Sequence, residues 1–168
     1  PMTLKDIRPL LCYWRPKNLE KVLKGIEELP CDKIFTNYFS YPHNYNITRN
    51  FFLENPEYTH YIALPNDLVP TLEIYNKLIQ HIKTNDFPVV AGCCNVDLRK
   101  YKNHLNVCWT LPELPYNRRT YRWMAESIAD NMIMKGYPVH RVGFAGFPLM
   151  FIRRDIVEKI PFGTIPYE

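Results

Sequence analysis

The chain has 168 residues, 46% of them hydrophobic, and a formal net charge of +4. That length is read as one domain, able to bury roughly two thirds of its unfolded surface, and no apolar run reaches the roughly 18 residues that span a bilayer. The mild positive charge suits an anionic small molecule at least as well as nucleic acid, whose binders carry a denser basic face.

The stretch MTLKDIRP near the start lacks the apolar centre of a signal peptide, so a cytoplasmic location is expected. Residues Arg8 to Trp14 form the first apolar run, expected as a strand that turns at Arg15-Pro16. Asn18 offers a cap for the helix that follows. Its apolar positions Leu19, Val22, Leu23, Ile26 and Leu29 recur at helical spacing until Pro30. Lys33 to Ser40 reads as a second strand, Ile47 to Glu54 as a short helix before Pro56, and His60 to Leu64 as the third strand. A helix starting near Thr71 presents Leu72, Tyr75, Leu78, Ile79 and Ile82 on one face, and Phe87 to Ala91 is a fourth strand.

After Gly92 the pattern changes. Leu105 to Leu111 is strand-like, Thr120 to Lys135 reads as an amphipathic helix, and Phe147 to Ile152 is another apolar run. Asp155 and Glu158 have the spacing of a capping pair for a last helix ending at Pro161. Strands alternating with helices predict an α/β fold, its sheet mostly parallel, with a small antiparallel extension in the second half. The five cysteines include an adjacent pair and no CxxC, which argues against a zinc ribbon. Cys12, Cys31, Cys93 and Cys108 lie in or beside strand-like runs and are expected mainly as buried free thiols, with disulfides as the alternative. The histidines show no metal-ligand spacing, and most of them are expected at the surface or at strand edges.

The chemistry concentrates in HYIALPNDLVP, residues 60–70. Asp67 follows a predicted buried strand, and in open α/β sheets ligands bind beyond the carboxyl ends of strands. A carboxylate at that rim can hold a hard cation such as Mg²⁺ or Mn²⁺, which bridges diphosphate oxygens. Equally, Asn and Asp are ordinary turn residues.

This segment resembles the part of GT-A glycosyltransferases that carries their DxD motif. Three other pieces agree in order: Ile47-Thr-Arg-Asn50 before the strand, Phe87-Pro-Val-Val-Ala-Gly92 after it, and Gly143-Phe-Ala-Gly146 running on to Asp155. Pro65 stands where the family most often has its first acid; Asp67 matches the second, which touches the metal directly. The resemblance implies a single GT-A-like domain, its nucleotide-binding half at about residues 1–92 and its acceptor-side half at about 93–168. It implies transfer of a sugar, with inversion, from a UDP- or GDP-linked donor to a glycan, protein or lipid acceptor.

On this reading Asp67 holds Mn²⁺ or Mg²⁺, and Asn66 contacts the ribose or the hydrated metal. Tyr13 or Trp14 packs on the base, while Arg15 and Arg49 support the nucleotide. Ser40, Tyr41 and Asn50 are secondary positions. Gly143, Ala145 and Gly146 let the acceptor approach the backbone. The catalytic base is unassigned: Asp155, Asp97 and Glu168 are weak choices, and the resemblance puts it beyond residue 168. The alternatives left open are a nucleotidyltransferase and an inactive nucleic-acid- or partner-binding domain on the same fold. Two basic-aromatic stretches, 97–102 and 117–123, favour a solvated surface over nucleic acid.

Overall fold

The computed structural model describes residues 6–14, 19–36, 41–94, 104–109, 122–125, 130, 134, 144–145 and 149–159. The chain divides into two compact units: Pro1–Gly92 with Phe147–Glu168, and Cys93–Gly146.

In the first unit the apolar run ending at Trp14 becomes β1 (Pro9–Trp14), followed by α1 (Leu19–Glu27) and β2 (Asp32–Thr36). Then come α2 (Tyr41–Glu54), β3 (His60–Ala63), α3 (Leu72–Asn85) and β4 (Val89–Ala91). The second unit supplies β5 (His104–Trp109), β6 (Arg122–Ala125) and β7 (Phe144–Ala145). The first unit closes with β8 (Met150–Arg153) and α4 (Arg154–Lys159).

The five strands of the first unit lie in the order β2-β1-β3-β8-β4. β1 pairs in parallel with β2 and β3, whereas β8 pairs antiparallel with both β3 and β4. The sheet is therefore mixed, not mostly parallel as the alternation of elements predicts. A late strand inserts between β3 and β4 with the opposite sense, and an apolar run carries no sign of its direction. β3 is buried at all four positions and β1 at five of six, as befits strands covered on both faces. The β2 edge exposes Asp32 and Lys33, charges that discourage further strand pairing.

The main core joins Leu11, Ile62, Leu64 and Phe151 of the sheet region to Val22, Ile26 and Leu29 from α1 and its end, and to Tyr75, Leu78 and Ile82 of α3. Of the face predicted for α3, Leu72 is 40% exposed; it lies in the first turn, outside the sheet's cover. Thr71 caps α3 by accepting the Ile74 N–H at 3.3 Å, and Asp86 ends it in the left-handed region at φ 48°.

α2 begins six residues before the predicted Ile47, because half of its buried face is polar. Asn44, Tyr45, Thr48 and Phe52 follow helical spacing and are all buried. The Thr48 hydroxyl donates to the Asn44 carbonyl at 2.9 Å, leaving its oxygen to accept from Tyr61 Oη at 2.7 Å. The Thr36 hydroxyl donates to Asn44 Oδ1 at 3.0 Å.

α4 is fastened to α2 by two arginines. Arg154 donates to the Tyr58, Phe52 and Asn55 carbonyls at 2.8, 2.7 and 2.7 Å, with its guanidinium over the Phe52 ring. Arg49 reaches the other way, to the Val157 and Glu158 carbonyls. The predicted Asp155–Glu158 capping pair does not form: Asp155 binds Arg153 and Glu158 pairs with Arg154, so each carboxylate is held by an arginine instead.

The second unit holds an antiparallel sheet in the order β6-β5-β7. Arg122 to Ala125, predicted as the start of a helix, is a strand paired with β5; cross-strand pairing overrides the local pattern. Asp130 and Met134, later in that segment, have helical backbone. Among the described residues no helix is long and apolar enough to cross a membrane.

Candidate functional site

Because β1, β2 and β3 run in parallel, their carboxyl ends share one rim. The register brings Trp14 opposite Thr36, Tyr13 opposite Phe35, and Cys12 opposite Ala63. The chain leaves β3 through Leu64, fully buried with its N–H directed at the Cys12 carbonyl, and then turns at Asn66-Asp67. Asp67 is exposed on that turn and Asn66 is half-buried. The predicted carboxylate thus stands at the rim beside the end of β1, near the middle of the sheet.

The pleat separates Tyr13 from Trp14. Trp14 turns toward α2, is 7% exposed and meets the Tyr45 ring edge-on at 5.1 Å. Tyr13 lies on the other face, half-buried, its ring 5.3 Å from that of Phe35. Phe35 is itself 48% exposed, so this pair presents aromatic surface that Trp14 does not. Phe35 was not among the predicted site residues; the signal was available, since the same alternation that aims Tyr13 aims its register partner.

Beneath the rim a narrow crevice is lined by Cys12, Trp14, Thr36, Asn44, Thr48 and Tyr61, among others. Burial pushes the Cys12 thiol and the Tyr61 phenol well up, so both stay protonated and the network is neutral at pH 7. Cys31 and Cys93 depart from the buried-thiol expectation that Cys12 meets: Cys31 is half-buried and Cys93 is exposed.

The remaining predicted residues fall in different places. Arg49 is engaged with the last carbonyls of α4, where a cation also complements the helix dipole. Asn50 is exposed on α2, and Tyr41 is that helix's first residue. Asp155 receives Nε and Nη2 of Arg153 at 2.6 and 3.0 Å, and these hydrogen bonds hold its carboxyl below the ordinary carboxylate range. Ala145 pairs through its backbone with Val107 in the second unit. Arg15, Ser40, Asp97, Gly143, Gly146 and Glu168 lie outside the described residues, as do the predicted cap Asn18 and most of the two basic-aromatic stretches.

His60 lies neither at the surface nor on an edge strand, the positions expected of most of the histidines. It is 3% exposed, with Nδ1 bonded to the Thr59 hydroxyl and Nε2 buried without a hydrogen-bond partner among the described residues. Burial first, and then the Arg153 cation opposite it in the β3–β8 ladder, lower its pKa from 6.5 to about 4. It lies at the far end of β3 from Asp67. Among the described residues no three His, Cys, Asp or Glu side chains converge as a metal cluster.

No family model matches the chain, and no curated protein matches it. Among solved structures it is similar to A197 from STIV, with 16% identity over 92% of this chain and 69% of that one, at a TM-score of 0.59. At that identity the likeness shows a shared fold.

Proposed function

We propose that this chain is a GT-A-like glycosyltransferase domain, moving a sugar from a UDP- or GDP-linked donor to an acceptor hydroxyl with inversion. The observation that carries the reading is the exposed Asp67 carboxylate just past β3, on the rim where β1 and β2 also end. The collinear resemblance of the segments around Asp67, Arg49, Gly92 and Asp155 adds to it. So does the sheet order, which lays the late strand β8 directly beside the strand that leads to Asp67.

The residues present fit a hard divalent cation. Mg²⁺ and Mn²⁺ are commonly held by one or two carboxylates together with substrate phosphates, so a full protein cage is not required. Asp67 would hold the ion, with the Asn66 amide oxygen next to it; the ion supplies charge that stabilises the departing diphosphate. Tyr13, backed by Phe35, offers its ring to the nucleobase. The neutral hydroxyl network under the rim ties α2 to β2 and β3, and Trp14 packs on Tyr45 of α2. Arg49 is engaged in tying α4 to α2. The base that takes the acceptor proton stays unassigned, because Asp155 is held ionised by Arg153 and is a weak proton acceptor.

Calorimetric titration of UDP and GDP, with and without Mn²⁺, tests the reading. Micromolar, Mn²⁺-dependent affinity for one nucleotide is expected, abolished in Asp67→Ala. No binding of either nucleotide under any condition would sink the proposal.

A further inference from the structure

α1 carries Gly25 in its interior, where after proline glycine is the poorest choice. Gly25 is buried, and a Cβ built on it would stand 2.5 Å from the Pro70 carbonyl oxygen and 3.2 Å from Pro70 Cδ. The oxygen belongs to the backbone, so no side chain can swing aside to admit a methyl group. α1 therefore touches, at its one glycine, the segment that carries Asp67.

That segment is held at three points. Leu64 is buried at its start, with its N–H aimed at the Cys12 carbonyl. Leu68 packs against the main core in its middle. Pro70 is buried at its end, one residue before the Thr71 cap of α3. Asp67 is exposed between the first two anchors, and the third sets how close the turn lies to α1.

We infer that Gly25 is a positioning residue for Asp67: by letting Pro70 seat against α1, it sets the place of the carboxylate relative to the rim and so the metal-dependent part of nucleotide affinity. This rests on the function proposed above. A group that must meet both a metal and a diphosphate is sensitive to displacements of an ångström or less, and a methyl at Gly25 forces a backbone shift three residues from it.

The test is the ratio of UDP or GDP affinity with Mn²⁺ to affinity without it, measured for the intact chain and for Gly25→Ala. Arg154→Lys is the control, because it weakens the fold at the opposite end of β3, where the guanidinium holds the Tyr58, Phe52 and Asn55 carbonyls. For Gly25→Ala the ratio is expected to fall by roughly tenfold or more, while the control keeps the ratio of the intact chain. A general loss of stability would move both variants alike. An unchanged ratio in folded Gly25→Ala overturns the inference, as does an equal fall in the control. Should Gly25→Ala fail to fold, Pro70→Ala is read in its place: it removes the ring seated on Gly25, and the same fall or its absence decides. Failure of the intact chain to bind is a distinct result, which removes the parent reading and this inference together.

Discussion

Replacing Arg154 with alanine should unfasten α4 and the start of β3 from the end of α2. The guanidinium donates to three main-chain carbonyls, at Tyr58, Phe52 and Asn55, and sits 4.3 Å from the centroid of the Phe52 ring. Its side chain is 20% exposed, so these bonds are largely shielded from water. A hydrogen bond from a charged donor contributes about 1.5–3 kcal/mol. One nitrogen serves two of the carbonyls, and carbonyls close to the surface recover water once the side chain is gone. The total therefore falls well below a simple sum, at about 3–4 kcal/mol with the ring contact included. The Glu158 pair at 3.6 Å is half exposed and adds little. A loss of that size is a large fraction of the 5–15 kcal/mol by which ordinary domains are stable. Urea unfolding followed by far-ultraviolet circular dichroism should show the midpoint falling by about 1.5–2 M for a slope near 2 kcal/mol/M. Arg154→Lys should recover about one bond's worth, since an ammonium cannot span three carbonyls as the planar fork does. A loss under about 1 kcal/mol for the alanine variant would refute the reasoning, because the three carbonyls would then be satisfied without the arginine.

Stability should also depend on pH through His60. Its folded-state pKa of about 4 lies below the ordinary 6.5, so the unfolded chain takes up the proton first as pH falls. Its contribution is whole above pH 6.5 and is lost progressively toward pH 4, about 3 kcal/mol in all. Urea midpoints for His60→Leu should vary less across that window, and a slope equal to the original chain's would exclude His60 as its source. Tyr61→Phe removes the hydroxyl that meets Thr48 at 2.7 Å and should cost about 1–2 kcal/mol, read from the same unfolding curves. Alkylation at pH 8 should label exposed Cys93 in the native protein, whereas Cys12, buried with its thiol pKa raised, should react only on unfolding. Rapid native labelling of Cys12 would mean that α2 opens readily from β1.

The elements with strong apolar periodicity were legible in the sequence: β1, α1, β3 and α3 lie within a few residues of their predicted bounds, and Thr71 caps where its pattern starts. The position of Asp67 at a strand end was legible too, because the stop signal Pro65-Asn66 is local. What failed to show was whatever depends on a distant partner. The first turns of α2 were hidden because Asn44 and Thr48 are buried as hydrogen-bonding groups, and their partners Thr36 and Tyr61 come from two strands. The direction of β8 was decided by its docking between β3 and β4, a choice that an apolar run does not encode. The segment Arg122–Ala125 has helical spacing but pairs with β5. Nothing along the chain marks Arg154 as the partner of three carbonyls or Gly25 as the seat of Pro70; both roles exist only in the folded chain. Local backbone preference and apolar spacing are written along the chain; pairing partners, and the polar groups that they satisfy, exist only once separate stretches have met.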